Sequence, residues 1–162
     1  MLKAPATISE LVELISSARA AWEALMVGLL PRDYDQPGVA GEWSLKDIIV
    51  HIAWFENEMV GMLERRALVG SELWNLSQAE RNQAIYLQNK SRSLNDILSD
   101  SRHTYTRLLG LLEGLKDAEL HDPARFNDMP TDWVPWRIIA GNTYLHYLDH
   151  AQDIQVWLEG NL

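Results

Sequence analysis

The chain has 162 residues, with 14 basic against 23 acidic side chains, a formal net charge of −9 and no cysteine. That length points to one domain, residues 1–162, with a core of its own. The missing cysteines exclude disulfides, thiolate metal sites and a cysteine nucleophile, and the acidic balance works against sequence-independent binding to nucleic acid, so no nucleic-acid partner is expected.

The first predicted helix opens at Thr7, where Thr7-Ile-Ser-Glu10 has the form of a capping box. Its apolar positions run Ile8, Leu11, Val12, Ile15, Ala18, Trp22, Leu25, Met26 and Leu29 on a 3.6-residue period, and Pro31 ends it. Pro31 to Gly41 reads as a loop. The second helix starts at Ser44, with Asp47 completing the cap and Trp43 just outside. Its buried stripe is Leu45, Ile48, Ile49, Ile52, Phe55, Met59 and Leu63. His51 borders that stripe, and Glu58 follows on the same side. The pattern is lost from Ala67 to Leu76, and Ser77-Gln-Ala-Glu80 then caps a shorter polar helix running to about Asn89.

Ser93 and Asp96 open the third long helix, whose apolar positions are Ile97, Leu98, Leu108, Leu112 and Leu115. The middle of that stripe, Ser101, Thr104 and Tyr105, is polar where a core should be apolar, which suits a pocket facing the histidines of other helices. Lys116 to Thr131 is a loop with one short turn at Asp117–Leu120. The fourth helix is expected from about Pro135 to Glu159, with Gly160 as its stop. These elements predict an all-α fold, a four-helix bundle whose long second-to-third crossover carries an extra short helix. No apolar run approaches the roughly 20 residues needed to span a bilayer. The start, Met1-Leu-Lys-Ala-Pro5, is not followed by the apolar stretch of a leader. A cytoplasmic chain with no membrane partner is therefore expected.

Of five histidines, His146 and His150 are one turn apart on the face that runs from Ile139 to Trp157, and His51 is the third that fits. Two imidazoles at this spacing, with side-chain roots about 6 Å apart, either clamp one ion or satisfy one another in the core. His103 and His121 fall outside the buried stripes and read as solvated. Three neutral imidazoles suit Zn²⁺, Ni²⁺, Fe²⁺ or Co²⁺ and leave a coordination position open for chemistry. Asn142 and Asp153 lie a turn either side of the pair, where they could hold the second ring nitrogens. Glu58 is the candidate general base, and Tyr105 the candidate pocket residue; each also reads as an ordinary satisfied polar side chain. A carboxylate-bridged di-metal centre needs a Glu-x-x-His motif, and Thr143 stands three residues before His146. No Gly-x-Ser-x-Gly elbow is present.

Gly41-Glu-Trp-Ser-Leu-Lys-Asp-Ile-Ile-Val-His51-Ile-Ala-Trp-Phe-Glu56 resembles the helix-two signature of the DinB/YfiT-like superfamily, Trp-Ser/Thr-x-x-Asp-x-x-x-His. Gly141-Asn-Thr-Tyr-Leu-His146-Tyr-Leu-Asp-His150 resembles its helix-four signature. The run from Arg81 to Leu94, with Gly141-Asn-Thr-Tyr144, is most similar to the ClbS/DfsB-like branch. The resemblance implies a four-helix bundle, often dimeric, with a divalent metal held by His51, His146 and His150. Related enzymes use such a centre for hydrolysis or for reactions of a low-molecular-weight thiol. ClbS-like relatives instead protect a cell from a reactive small molecule by opening an electrophilic ring. The expected function is thus metal-dependent hydrolysis or thiol transfer on an electrophilic small molecule, with a non-catalytic or metal-free binding and protection protein as the alternative.

Overall fold

The computed structural model describes residues 3–161; Met1, Leu2 and Leu162, which the single-domain expectation includes, lie outside the described residues. Six α-helices are described: α1 (Ile8–Ala24), α2 (Leu45–Arg65), α3 (Gln78–Asn89), α4 (Leu94–Glu113), α5 (Pro135–Gly141) and α6 (Tyr144–Asn161). Among the described residues, β structure is confined to two isolated bridges, Ala40 with Trp43 and Ala67 with Asn127. The bundle is built by α1, α2, α4 and the α5–α6 pair. Its principal contacts are α2 on α4 and α1 on α6, and α3 lies against α2 within the crossover.

The helix starts follow from their caps. Ser44 Oγ accepts from the Asp47 backbone N–H at 3.3 Å while Asp47 Oδ2 accepts from the Ser44 N–H at 2.9 Å. Ser77 and Glu80 repeat the reciprocal arrangement, and Ser93 Oγ accepts from the Asp96 N–H. Each cap satisfies backbone donors that the helix itself leaves unpaired. Ser44 is buried, so Ser44→Ala is expected to cost about 1–2 kcal/mol, seen as a lower urea midpoint with an unchanged slope.

Two boundaries differ from the sequence reading. The first helix stops at Ala24 rather than running to Pro31, because the chain turns through Leu25–Gly28 and Gly28 takes a left-handed φ of 88°. Met26 stays buried in this turn, so the apolar period outlasts the helix. The expected fourth helix is broken at Asn142–Thr143 into α5 and α6, and α6 continues through Gly160. At the break, Asn142 Nδ2–H donates to the Ile138 carbonyl and Thr143 Oγ1–H to the Ile139 carbonyl, both at 2.7 Å. The Asn142 N–H is shared between Ile138 and Ile139, and the Thr143 N–H reaches only Ala140. Side chains competing for the i−4 carbonyls thus tighten one turn before the ladder resumes at Tyr147.

The core is one cluster spanning all these helices, with Leu11, Ile15, Leu45, Ile48, Leu108 and Ile154 fully enclosed. It also holds charge. Arg19, Glu56 and Ser101 are buried, as is Tyr147. Arg19 donates to Ser101 Oγ at 2.8 Å, to Glu23 Oε1 at 2.6 Å and to Glu56 Oε2 at 3.4 Å, and the Tyr147 hydroxyl donates to Glu56 Oε1.

Candidate metal centre

His51 projects from the middle of α2, and His146 and His150 from successive turns of α6, so packing of these two helices brings three rings together. His146 is the hub. Its Nε2 lies 2.9 Å from His51 Nε2 and 3.2 Å from His150 Nε2, and one nitrogen from each of the three rings falls within 4.8 Å of the others. Two imidazole nitrogens on one tetrahedral ion at about 2.0–2.1 Å would stand about 3.3 Å apart. The observed spacing is close to that.

Proton counting argues that the rings fit a cation better than they fit one another. The Asp153 carboxylate lies 3.3 Å from His150 Nδ1, which selects the Nδ1–H tautomer and leaves Nε2 bare. A proton on His146 Nε2 can then serve only one of its two neighbours. Nδ1 of both His51 and His146 is buried with no hydrogen-bond partner among the described residues, so these two rings lack the supporting acceptor that Asp153 gives His150. A cation at the point of convergence takes up all three Nε2 lone pairs at once. The residues present therefore fit a divalent ion.

The rings are partly enclosed, with His51 buried and His146 and His150 half-buried. The Trp43 ring stands 5.0 Å from His51, and Phe55 packs 4.8 Å from His51 and 4.9 Å from His146, centroid to centroid. Trp74 from the crossover contacts Phe55, and the Arg81 guanidinium on α3 lies 4.5 Å over Trp74. Burial pushes His51 down to about 2, with His146, His150 and Arg81 adding to it, and pushes His146 down to about 3. Burial also lowers His150, against the opposing pull of Asp153 and Asp149. The sign for stability follows. Unfolded imidazoles take up protons below pH 6.5 while the folded ones stay neutral. Stability present above that pH is lost as the pH falls. Between about pH 7 and about pH 5.5, His51 and His146 together are expected to remove about 2.5 kcal/mol from the metal-free chain, measured by urea unfolding at each pH.

Other expected site residues are distributed differently. Asp153 joins the rings. The Asn142 amide is turned to the Ile138 carbonyl and touches no ring nitrogen, although Asn142 lines a neighbouring cavity. Glu58 lines that cavity too, its Oε2 accepting from the Ser71 N–H and the Trp74 indole N–H. Tyr105 corrects the expectation of a pocket residue beside the histidines: its hydroxyl donates to Ser16 Oγ, and its ring lies 5.0 Å from the Arg19 guanidinium. The polar middle of α4 meets buried Arg19, since Ser101 accepts its hydrogen bond. His103 and His121 are exposed. Trp74 and Arg81 were not legible as neighbours of the site, because they lie in the stretch where periodicity fails and on a weakly amphipathic helix.

Residues 14–154 match the DinB superfamily, and the chain belongs to it. No curated protein matches the sequence. Among solved structures, an uncharacterised protein from Escherichia coli UTI89 superposes with a TM-score of 0.83 at 16% identity, covering 98% of this chain and 96% of that one. The Sibling Lethal Factor Precursor DfsB is similar at a TM-score of 0.82 and 17% identity over 98% of both chains. The colibactin self-resistance protein ClbS, solved in complex with a dsDNA, gives 0.76 at 16% identity over 94% of this chain and 96% of its own. ClbS corrects the expectation of no nucleic-acid partner, because a chain of this fold is found with duplex DNA. A net charge sums the whole surface, whereas duplex contacts are made by a few side chains on one face, so the acidic total does not decide the question. No described helix is long and apolar enough to cross a membrane.

Proposed function

We propose that this chain is a mononuclear metalloprotein in which His51, His146 and His150 hold one divalent transition metal, Zn²⁺, Ni²⁺ or Fe²⁺, and that it acts on an electrophilic small molecule by hydrolysis or thiol transfer. The observation that carries this reading is the convergence of three Nε2 atoms about His146 at 2.9 and 3.2 Å. When bound, such an ion supplies a Lewis acid that polarises a substrate and acidifies a water or thiol. The chain's own residues do the rest: Asp153 orients His150, and Trp43 and Phe55 pack against the rings. A thiol co-substrate comes from outside, since the chain has no cysteine. We take residues 1–162 as one domain of a cytoplasmic protein and, from the resemblance, as a homodimer.

The test is elemental analysis of untagged protein, with about one equivalent of transition metal expected. No metal, even after Zn²⁺ or Ni²⁺ is added back, sinks the metalloenzyme. The similarity to ClbS then favours the second reading, a metal-free protection protein that binds its small molecule without turnover, with duplex DNA to be assayed as a partner.

A further inference from the structure

A cavity of about 780 Å³ opens between α2, the crossover and α5, within the range of about 300–1,000 Å³ that holds small organic ligands. It is not the histidine cluster. Phe55 belongs to both, and the remaining walls are residues such as Met59, Met62, Ile138 and Trp74. Trp133 is 45% exposed and leaves an aromatic face accessible in the cavity wall, whereas Trp74 carries the Arg81 guanidinium 4.5 Å over its ring.

Glu58 is 9% exposed, and its hydrogen bonds account for one oxygen only. Oε2 accepts at 2.8 Å from the Ser71 N–H and at 2.6 Å from Trp74 Nε1–H. Oε1 has no partner among the described residues, and no Lys or Arg pairs with the carboxylate. Arg65 borders Glu58 from a smaller cavity of about 240 Å³ but forms no ion pair with it. The carboxylate is held, not loose. A Cβ at Gly70 would meet Trp74 Cδ1 at 2.4 Å and Glu58 Oε2 at 2.7 Å, so the crossover backbone is pressed onto both groups. The charged residues lining the cavity are Glu58, Glu72 and Arg137, of which Glu72 and Arg137 are exposed, leaving Glu58 the one enclosed ionisable side chain in the lining.

We propose that this cavity binds a small amphipathic organic cation. Its protonated amine sits against Glu58, and its apolar body lies among Met59, Met62 and Ile138. Glu58 Oε1 is not enclosed, so a ligand can reach it, and an ammonium there makes a charge-assisted bond that an anion cannot. The site stands on its own residues and needs no metal.

The experiment uses metal-free full-length protein titrated with cyclohexylmethylammonium and with cyclohexanecarboxylate, which share an apolar body and differ in charge. Binding is followed on the indole N–H signals of Trp74 and Trp133 by NMR. The ammonium is expected to bind at least about tenfold more tightly than the carboxylate. Glu58→Gln keeps an acceptor for Ser71 and Trp74, yet is expected to cost the ammonium about tenfold and leave the carboxylate within about twofold. Equal affinities, an unchanged Glu58→Gln affinity in a folded variant, or no shift at either indole would overturn the proposal. Because the titration is run without metal, none of these outcomes bears on the histidine centre.

Discussion

Replacing His146 with phenylalanine is expected to abolish metal binding while leaving the metal-free chain at least as stable as the parent. The two effects come from the same geometry. His146 Nε2 is the atom shared by both short contacts, to His51 and to His150, so its loss leaves two ligands from different helices. Two imidazoles hold a divalent ion far more weakly than three, and metal content should fall from about one equivalent to near zero at micromolar protein. In the metal-free state the balance reverses. His146 Nδ1 is buried without a partner, and its removal relieves an unsatisfied polar atom worth about 1–3 kcal/mol. The new ring lies beside Phe55, already 4.9 Å from the imidazole. Wild type at about 100 times the metal dissociation constant gains about 2.7 kcal/mol, a gain absent from His146→Phe. Elemental analysis and melting with and without added Zn²⁺ read both arms. A variant that keeps its metal refutes the ligand set, and one that loses stability without metal shows that the imidazole has a structural partner.

The histidine cluster was legible because its signal is short-range. An i, i+4 pair on an apolar face and one histidine bordering another apolar face need only the helical period and the packing of two helices. The capped starts at Ser44, Ser77 and Ser93 were legible for the same reason, being set by side chains three residues apart. The break at Asn142–Thr143 was not, since Asn and Thr bond their own i−4 carbonyls in straight helices too, and only tertiary packing decides whether the ladder yields. The polar middle of α4 is visible in the sequence, but its partner is Arg19 rather than the histidines. The signal that would have placed it lies on two other helices. Arg19 falls four residues after Ile15 and three before Trp22, and Glu56 four after Ile52 and three before Met59. Each is an ionisable side chain standing on a buried stripe. Two such groups on different helices imply buried polar partners, because neither could be enclosed without one.

That pair yields the second large effect. Arg19→Ala is expected to destabilise the chain by about 3–5 kcal/mol, while Glu56→Gln is expected to be neutral or stabilising near about pH 7. Arg19 is 4% exposed and keeps its charge, held by Glu23, Ser101 and the rings of Trp22, Tyr105 and Tyr147. Its removal opens a cavity among those rings and strips Glu56 of a donor. Glu56 is fully buried, and burial pushes its carboxyl up to about 8, against the opposing pull of Arg19. The geometry agrees: the guanidinium lies 2.6 Å from Glu23 but 3.4 Å from Glu56, so the closer carboxylate carries the counter-charge. Glu56 therefore keeps its proton near neutrality, and glutamine is its isostere, with the Tyr147 hydroxyl turning to accept from the amide. The folded acid binds a proton that the unfolded one has released above pH 4.5, so the stability it contributes is present at low pH and lost as the pH rises through about 8. Wild type should thus fall relative to Glu56→Gln by about 1.4 kcal/mol per pH unit between about pH 5 and about pH 8. The histidines contribute equally to both proteins, so the difference isolates Glu56. A flat difference across that range would mean that Glu56 is ionised in the fold and that Arg19 is its counter-ion.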